Sequence, residues 1–186
     1  MNNGIKASFV LGAIGGFLIA LIYSPSFLGW TFETHEEFFP WGPVQHYQIL
    51  ILAMILISIG FFGLWRKSGN VIPLVSAICI IVRDITTPLP YYLIGLPAII
   101  PDWLQTSILV GWIFYSVGWI AAGISAWLLR EEFSPFSIVA ALVFLAFGVA
   151  NWSVALIGGG WNIWNSLLAA VNGIVVTIYF LDAART

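Results

Sequence analysis

Charge is scarce in this sequence. Of 186 residues only 8% are Asp, Glu, Lys or Arg, against about a quarter in a soluble domain. That deficit excludes a soluble enzyme, a nucleic-acid binder and an intrinsically disordered chain. The 6 basic residues are scattered, so no patch tracks phosphates and no nucleic-acid partner is expected. Cysteine is nearly missing: Cys79 alone rules out a disulfide framework, a CxxC redox pair and a thiolate metal cage. Catalytic patterns are lacking as well. There is no Walker loop, no Ser-His-Asp set, no HExxH and no lysine inside an apolar run for a Schiff base. The chain reads as non-catalytic, without a resident cofactor.

What the chain does contain is apolar length. Hydrophobic residues make up 61% and aromatics 16%. Crossing a hydrocarbon core of about 30 Å takes roughly 20 apolar residues. Such runs appear near 7–28, 47–65, 71–87, 103–129, 135–157 and 161–181. The expected fold is therefore an all-α, polytopic bundle of six transmembrane helices, one domain over 1–186. Arg66-Lys67-Ser68-Gly69-Asn70 forms a short polar turn between the second and third spans. Between the fourth and fifth, Ser134 suits a helix cap and Pro135 a first helical position.

Basic residues set the orientation. With the N-terminus inside, Lys6, Arg66, Lys67, Arg130 and Arg185 fall on the cytoplasmic side and only Arg83 does not. The expectation is N-in and C-in, three hairpins facing outward, in a prokaryotic plasma membrane. Gly12, Gly16, Ala20 and Ser24 recur every four residues in the first span. Gly111, Gly118 and Ser125 recur every seven in the fourth, as do Ala141, Gly148 and Ala155 in the fifth. Small residues at these spacings let helices approach closely inside a bundle. Most of the 10 Trp sit at span ends as interfacial anchors, whereas Trp112, Trp119 and Trp152 lie deeper.

Arg83 and Asp84 are the ionisable residues inside a span, and burying charge there is costly enough to make them the first site candidate. Neighbouring residues on a helix point in different directions. The two are therefore not expected simply to neutralise each other, and at least one should seek a partner on another helix, in a loop or in a ligand. The plain alternative is that Arg83 snorkels to the outer interface. Asn151 and Asn165 extend the polar set toward the outer ends, joined by Gln48, Gln105 and Asn162, and Asn172 lies near the middle of the last span. The first outer loop, 31–46, holds His35, Glu36, Glu37, Trp41 and His46, with Pro40 and Pro43 arguing against a continuous helix. It reads as a lid or docking surface. Its two histidines match no standard metal spacing, so no metal is expected. The segment 88–101, with four prolines, is too broken to span and is expected in the interface or dipping back into the bundle.

The opening Gly12-Ala13-Ile14-Gly15-Gly16 and Ser24-Pro25, with the three-hairpin plan, resemble small bacterial membrane proteins of the HdeD-like and SPW-repeat kinds. That resemblance implies a fold and no function. In size, N-in plan and long first outer loop, the chain is similar to the substrate-binding component of energy-coupling-factor transporters. This second resemblance implies an outward pocket capped by the loop. Two functions follow. The first is a non-catalytic accessory or scaffold subunit of a larger membrane complex of the respiratory kind, with other membrane subunits as partners and a lipid or quinone as a small lipophilic ligand. The second is a small-solute binding or transport protein.

Overall fold

Asn2 opens the first helix by accepting the Gly4 N–H on its side-chain oxygen at 3.0 Å, supplying one of the bonds that a helix start leaves unmade. The computed structural model describes residues 2–28, 43–94, 101–133, 136–157 and 163–186. Among them every regular element is helical. α1 (Asn3–Tyr23) continues into a 3₁₀ turn (Ser24–Leu28). α2 (Pro43–Ser68), α3 (Ile72–Thr86), the short α4 (Pro88–Ile94) and α5 (Asp102–Leu128) follow. A single turn, α6 (Arg130–Phe133), then leads to α7 (Phe136–Ile157) and α8 (Ile163–Ala183).

Five stretches are long and apolar enough to cross a membrane: Asn3–Leu28, His46–Ser68, Ile72–Pro90, Asp102–Leu128 and Ile163–Ala183. A shorter apolar stretch, Phe136–Trp152, occupies most of α7. Their outer faces are apolar, as a lipid-facing helix requires. On α1 the exposed residues are Val10, Ile14, Phe17 and Leu21, spaced three or four apart, with Phe17 56% exposed. The opposite face of α1 is buried, so apolarity here does not distinguish inside from outside. Residue size does.

The helices close into a ring in chain order. α1 packs on α2, α2 on α3, α3 on α5, α5 on α7, α7 on α8, and α8 returns to α1. Small residues make those seams tight. A Cβ added to Gly16 would stand 2.7 Å from the Thr177 backbone nitrogen, and one on Gly173 would stand 2.5 Å from the Ala20 nitrogen. Gly15 meets Ala53 of α2, Gly118 meets Cys79 and Ile80 of α3, and Gly148 meets Ile120 of α5. The recurrent small residues of the sequence thus serve seams within the bundle. Ser76 adds a polar stitch by donating to the Gly118 carbonyl at 2.8 Å.

One end of the ring is fixed by Lys67. Its Nζ lies 4.4 Å from the centre of the Phe133 ring and 6.0 Å from that of Phe9. It also donates to the Thr186 hydroxyl at 3.2 Å. The start of α1, the end of α2, α6 and the end of α8 therefore meet there. The α2–α3 turn at the same end closes through Gly69 at φ 70°, whose N–H bonds the Trp65 carbonyl at 2.9 Å. Left-handed backbone of this kind is the usual helix stop. Asn70 then accepts from the Ile72 N–H at 2.9 Å and starts α3.

Inside, the half nearer Lys67 is filled by rings. Phe61 of α2 stands edge-on to Phe180 of α8 at 5.1 Å, to Phe144 of α7 at 6.2 Å and to Trp119 of α5 at 6.3 Å. Such pairs contribute about 0.5–1.5 kcal/mol each beyond area burial. The plug therefore ties non-adjacent helices as well as neighbours. Trp119, placed by the sequence among the deeper tryptophans, is fully buried here, whereas Trp152 faces outward.

Two expectations change. Pro43 does not interrupt a helix; it begins α2, where a missing N–H costs nothing. Pro88 likewise begins α4, so the start of the proline-rich segment is a helical turn packed on α2 and α3. The remainder of that segment, residues 95–100, and the proposed Ser134-Pro135 cap lie outside the described residues.

The seams make a direct prediction. Gly16→Val should destabilise the bundle by about 1–3 kcal/mol through overpacking. Gly4→Ala, where a Cβ meets only Asn2 at 3.7 Å, should leave stability nearly unchanged. Thermal unfolding in detergent, followed by circular dichroism, compares the two.

Candidate functional site

α3 is apolar along Val75, Ile78, Ile81 and Ile85, which are exposed, and small or polar along Ser76, Ala77, Arg83 and Asp84, which are buried. Ring packing on α2 and α5 turns the second stripe inward. Arg83 is 6% exposed and Asp84 4%. Arg83 Nη1 and Asp84 Oδ1 are 3.1 Å apart.

This pairing corrects the sequence expectation. The two Cβ directions do diverge, but the three methylenes of Arg83 let the guanidinium fold back across the gap. Nor does Arg83 snorkel outward. Its Cζ sits 4.6 Å from the Tyr115 ring centre and 5.8 Å from that of Trp112, so α5 provides an aromatic seat. A desolvated cation over a ring is worth about 2 kcal/mol.

The pair is not fully satisfied. Arg83 Nε and Asp84 Oδ2 are buried without hydrogen-bond partners, as is the Thr87 hydroxyl one turn further along α3. Gly111 of α5 leaves the space that the Thr86 and Thr87 hydroxyls fill. Across the ring on α8, Asn172 is 1% exposed, and neither its Nδ2 nor its Oδ1 has a partner. Other unpartnered groups are the hydroxyls of Ser58, Ser125, Ser137 and Tyr179 and the Trp119 indole N–H, all uncharged. A lone hydroxyl is far cheaper to bury than half of an ion pair.

Arg83, Asp84, Thr87 and Asn172 lie in a polar layer on the side of the plug away from Lys67. Tyr115 stands edge-on to Phe147 of α7 at 5.7 Å. One turn beyond Phe147 is buried Asn151, whose Nδ2 donates to the Phe147 carbonyl at 2.6 Å. The Tyr115 hydroxyl lies 3.9 Å from Met54 Sδ on α2. Asn172 adjoins Gly173, which packs on Ala20 of α1. One turn beyond Ala20 is buried Tyr23. Tyr23 in turn meets His46 of α2 edge-on at 6.2 Å.

His46 is a second correction. The sequence placed it in the outer loop, but it lies within α2 and is buried against Tyr23. Pro43 as a helix start extends α2 by one turn and carries His46 inside. Of the other expected residues, Arg83, Asp84, Asn151 and Asn172 fall in the layer. Asn165 lies two turns from Asn172 along α8 and is only half-buried. His35, Glu36, Glu37, Trp41 and Asn162 lie outside the described residues. Among the described residues no group of three His, Cys, Asp or Glu converges as a metal site.

Tyr23, Thr87 and Tyr115 were not anticipated. Tyr115 carried a signal: it lies four residues past Gly111 and three before Gly118, on the small-residue face that turns inward. Comparison with protein-family models, curated proteins and solved structures gives no match to this chain.

The pair yields a stability prediction. Asp84→Ala leaves the guanidinium buried and uncompensated, and should cost about 3–5 kcal/mol. Replacing both partners, as Arg83→Met with Asp84→Leu, should cost little or even stabilise. Denaturant unfolding of these two variants and the wild type in detergent tests the contrast.

Proposed function

We propose that this chain is a non-catalytic integral membrane protein with six spans that holds a small molecule in the polar layer between Arg83–Asp84 and Asn172. The observation that carries the reading is the set of buried, unpartnered groups Arg83 Nε, Asp84 Oδ2 and Asn172. Each such group costs about 1–3 kcal/mol, more where charge is involved. A bound molecule supplying the missing hydrogen bonds offsets that cost.

Topology enters the same proposal. α7 is counted as the sixth span because its 22 residues extend about 33 Å at 1.5 Å per residue. Lys6, Arg66, Lys67, Arg130 and Arg185 gather at the end fixed by Lys67, which supports a cytoplasmic position for that end and both termini. The polar layer then lies in the outer half of a prokaryotic plasma membrane.

Within this frame the chain acts as a subunit of a larger membrane complex, with a lipid or quinone as the bound molecule. Large side chains left exposed near the far end, Leu93 at 70%, Trp103 at 58% and Trp164 at 73%, favour a protein neighbour there. The second reading is a solute-binding component like that of energy-coupling-factor transporters. It is favoured by the way all six long helices contribute to one layer: Tyr23, His46, Arg83, Tyr115, Asn151 and Asn172.

Native mass spectrometry of protein extracted from its own membranes in mild detergent tests both readings. Co-eluting chains well above 20.5 kDa support the subunit reading. A lone chain with a reproducible small adduct supports solute binding. A lone chain without an adduct removes both. For topology, Glu131→Cys, at an exposed position of the same end, in a Cys79→Ser background should react with a membrane-impermeant maleimide only after the membrane is breached.

A further inference from the structure

We propose that the molecule held in this layer is uncharged and presents both hydrogen-bond donors and acceptors beside an aromatic or other flat apolar surface. The inference rests on the reading that the layer binds a ligand, and it deepens that reading by naming the ligand's chemistry.

Charge decides first. Arg83 and Asp84 are 3.1 Å apart and both buried, so their charges cancel. Among the described residues no other ionic side chain contacts the pair. An anion drawn to Arg83 would force Asp84 to stand uncompensated, and a cation drawn to Asp84 would do the same to Arg83. Leaving one half of a buried pair bare costs several kcal/mol, so the layer rejects ions of either sign. A neutral molecule leaves the pair intact.

Hydrogen-bond capacity decides next. The unpartnered set is mixed. Arg83 Nε and Asn172 Nδ2 donate, Asp84 Oδ2 and Asn172 Oδ1 accept, and the Thr87 hydroxyl does either. A molecule with acceptors alone, such as an oxidised quinone, leaves both oxygens unmet, so of a quinone couple it is the reduced, dihydroxy form that fits. An ether or a hydrocarbon leaves all of them unmet. Amides, lactams and dihydroxyaromatics answer both kinds. A primary or cyclic amide also matches the paired donor and acceptor on the Asn172 carboxamide. Tyr115 and Trp112 bracket the Arg83 guanidinium, so a flat molecule meets the planar guanidinium itself, which stacks on rings. Because the unpartnered atoms are shut off from solvent, Arg83 or Asn172 must swing aside as the molecule enters. Binding is accordingly slower than diffusion.

Three probes of one shape separate the possibilities: benzamide, benzoate and benzamidinium differ in charge and share their outline. Each is added at equal millimolar concentration to the purified full chain in detergent, and thermal unfolding is followed at neutral pH. For wild type, benzamide should raise the midpoint, with both ions binding roughly tenfold more weakly or worse. Asp84→Asn should switch the preference to benzoate, and Arg83→Gln to benzamidinium. If either variant fails to fold, the wild-type ranking decides alone. A wild type that prefers either ion overturns the neutral class. So does a wild type that ignores all three while retaining its native adduct; in both cases the binding reading survives. Loss of the adduct together with silence toward all three probes removes the binding reading as well.

Discussion

In an apolar medium, helices gain nothing by hiding greasy side chains from water, so what holds them is how closely their backbones approach. That constraint governs this chain. Its exposed face is as apolar as its buried one, and the difference between them is size. Gly12, Gly15 and Gly16 lie where α1 meets α2 and α8, and Gly118 and Gly148 lie where α5 meets α3 and α7. Where backbones come that near, dispersion and weak Cα–H contacts replace the hydrophobic effect as the adhesive.

Close approach at the walls pushes bulky side chains to the centre, and the centre divides into two zones. Toward Lys67 it is a cluster of rings around Phe61. Away from Lys67 it is an ion pair, amides and phenols. The apolar zone provides order and the polar zone provides chemistry. Arg83 stands at the boundary, bonded sideways to Asp84 and seated on Tyr115, and Tyr115 itself packs against Trp119 of the ring cluster at 6.0 Å. Site and core are thus mechanically continuous.

Much of this was legible in the residues. Five apolar stretches long enough to cross a membrane and a sixth, shorter one fall where the hydropathy runs lie, and the small residues at intervals of four and seven mark real seams. Arg83, Asp84 and Asn172 stood out because polar groups in apolar runs have few other reasons to be there. The failures are instructive too. Arg83 and Asp84 were read by Cα–Cβ direction alone, which ignores the reach of a long side chain. His46 was read as loop because Pro43 was taken as a breaker, when a proline at the first helical turn is a starter. Tyr23 gave no warning, since tyrosine is unremarkable near a membrane interface, whereas Tyr115 was marked only by its place on the small-residue face of α5.

The ring cluster has a consequence for traffic through the molecule. Phe61, Trp119, Phe144 and Phe180 come from four different helices, and all four are fully buried. Together they seal the axis of the bundle on the Lys67 side. To open a path along this axis, the bundle would have to rotate several interlocked rings at once and give up the contacts that keep its helices in register.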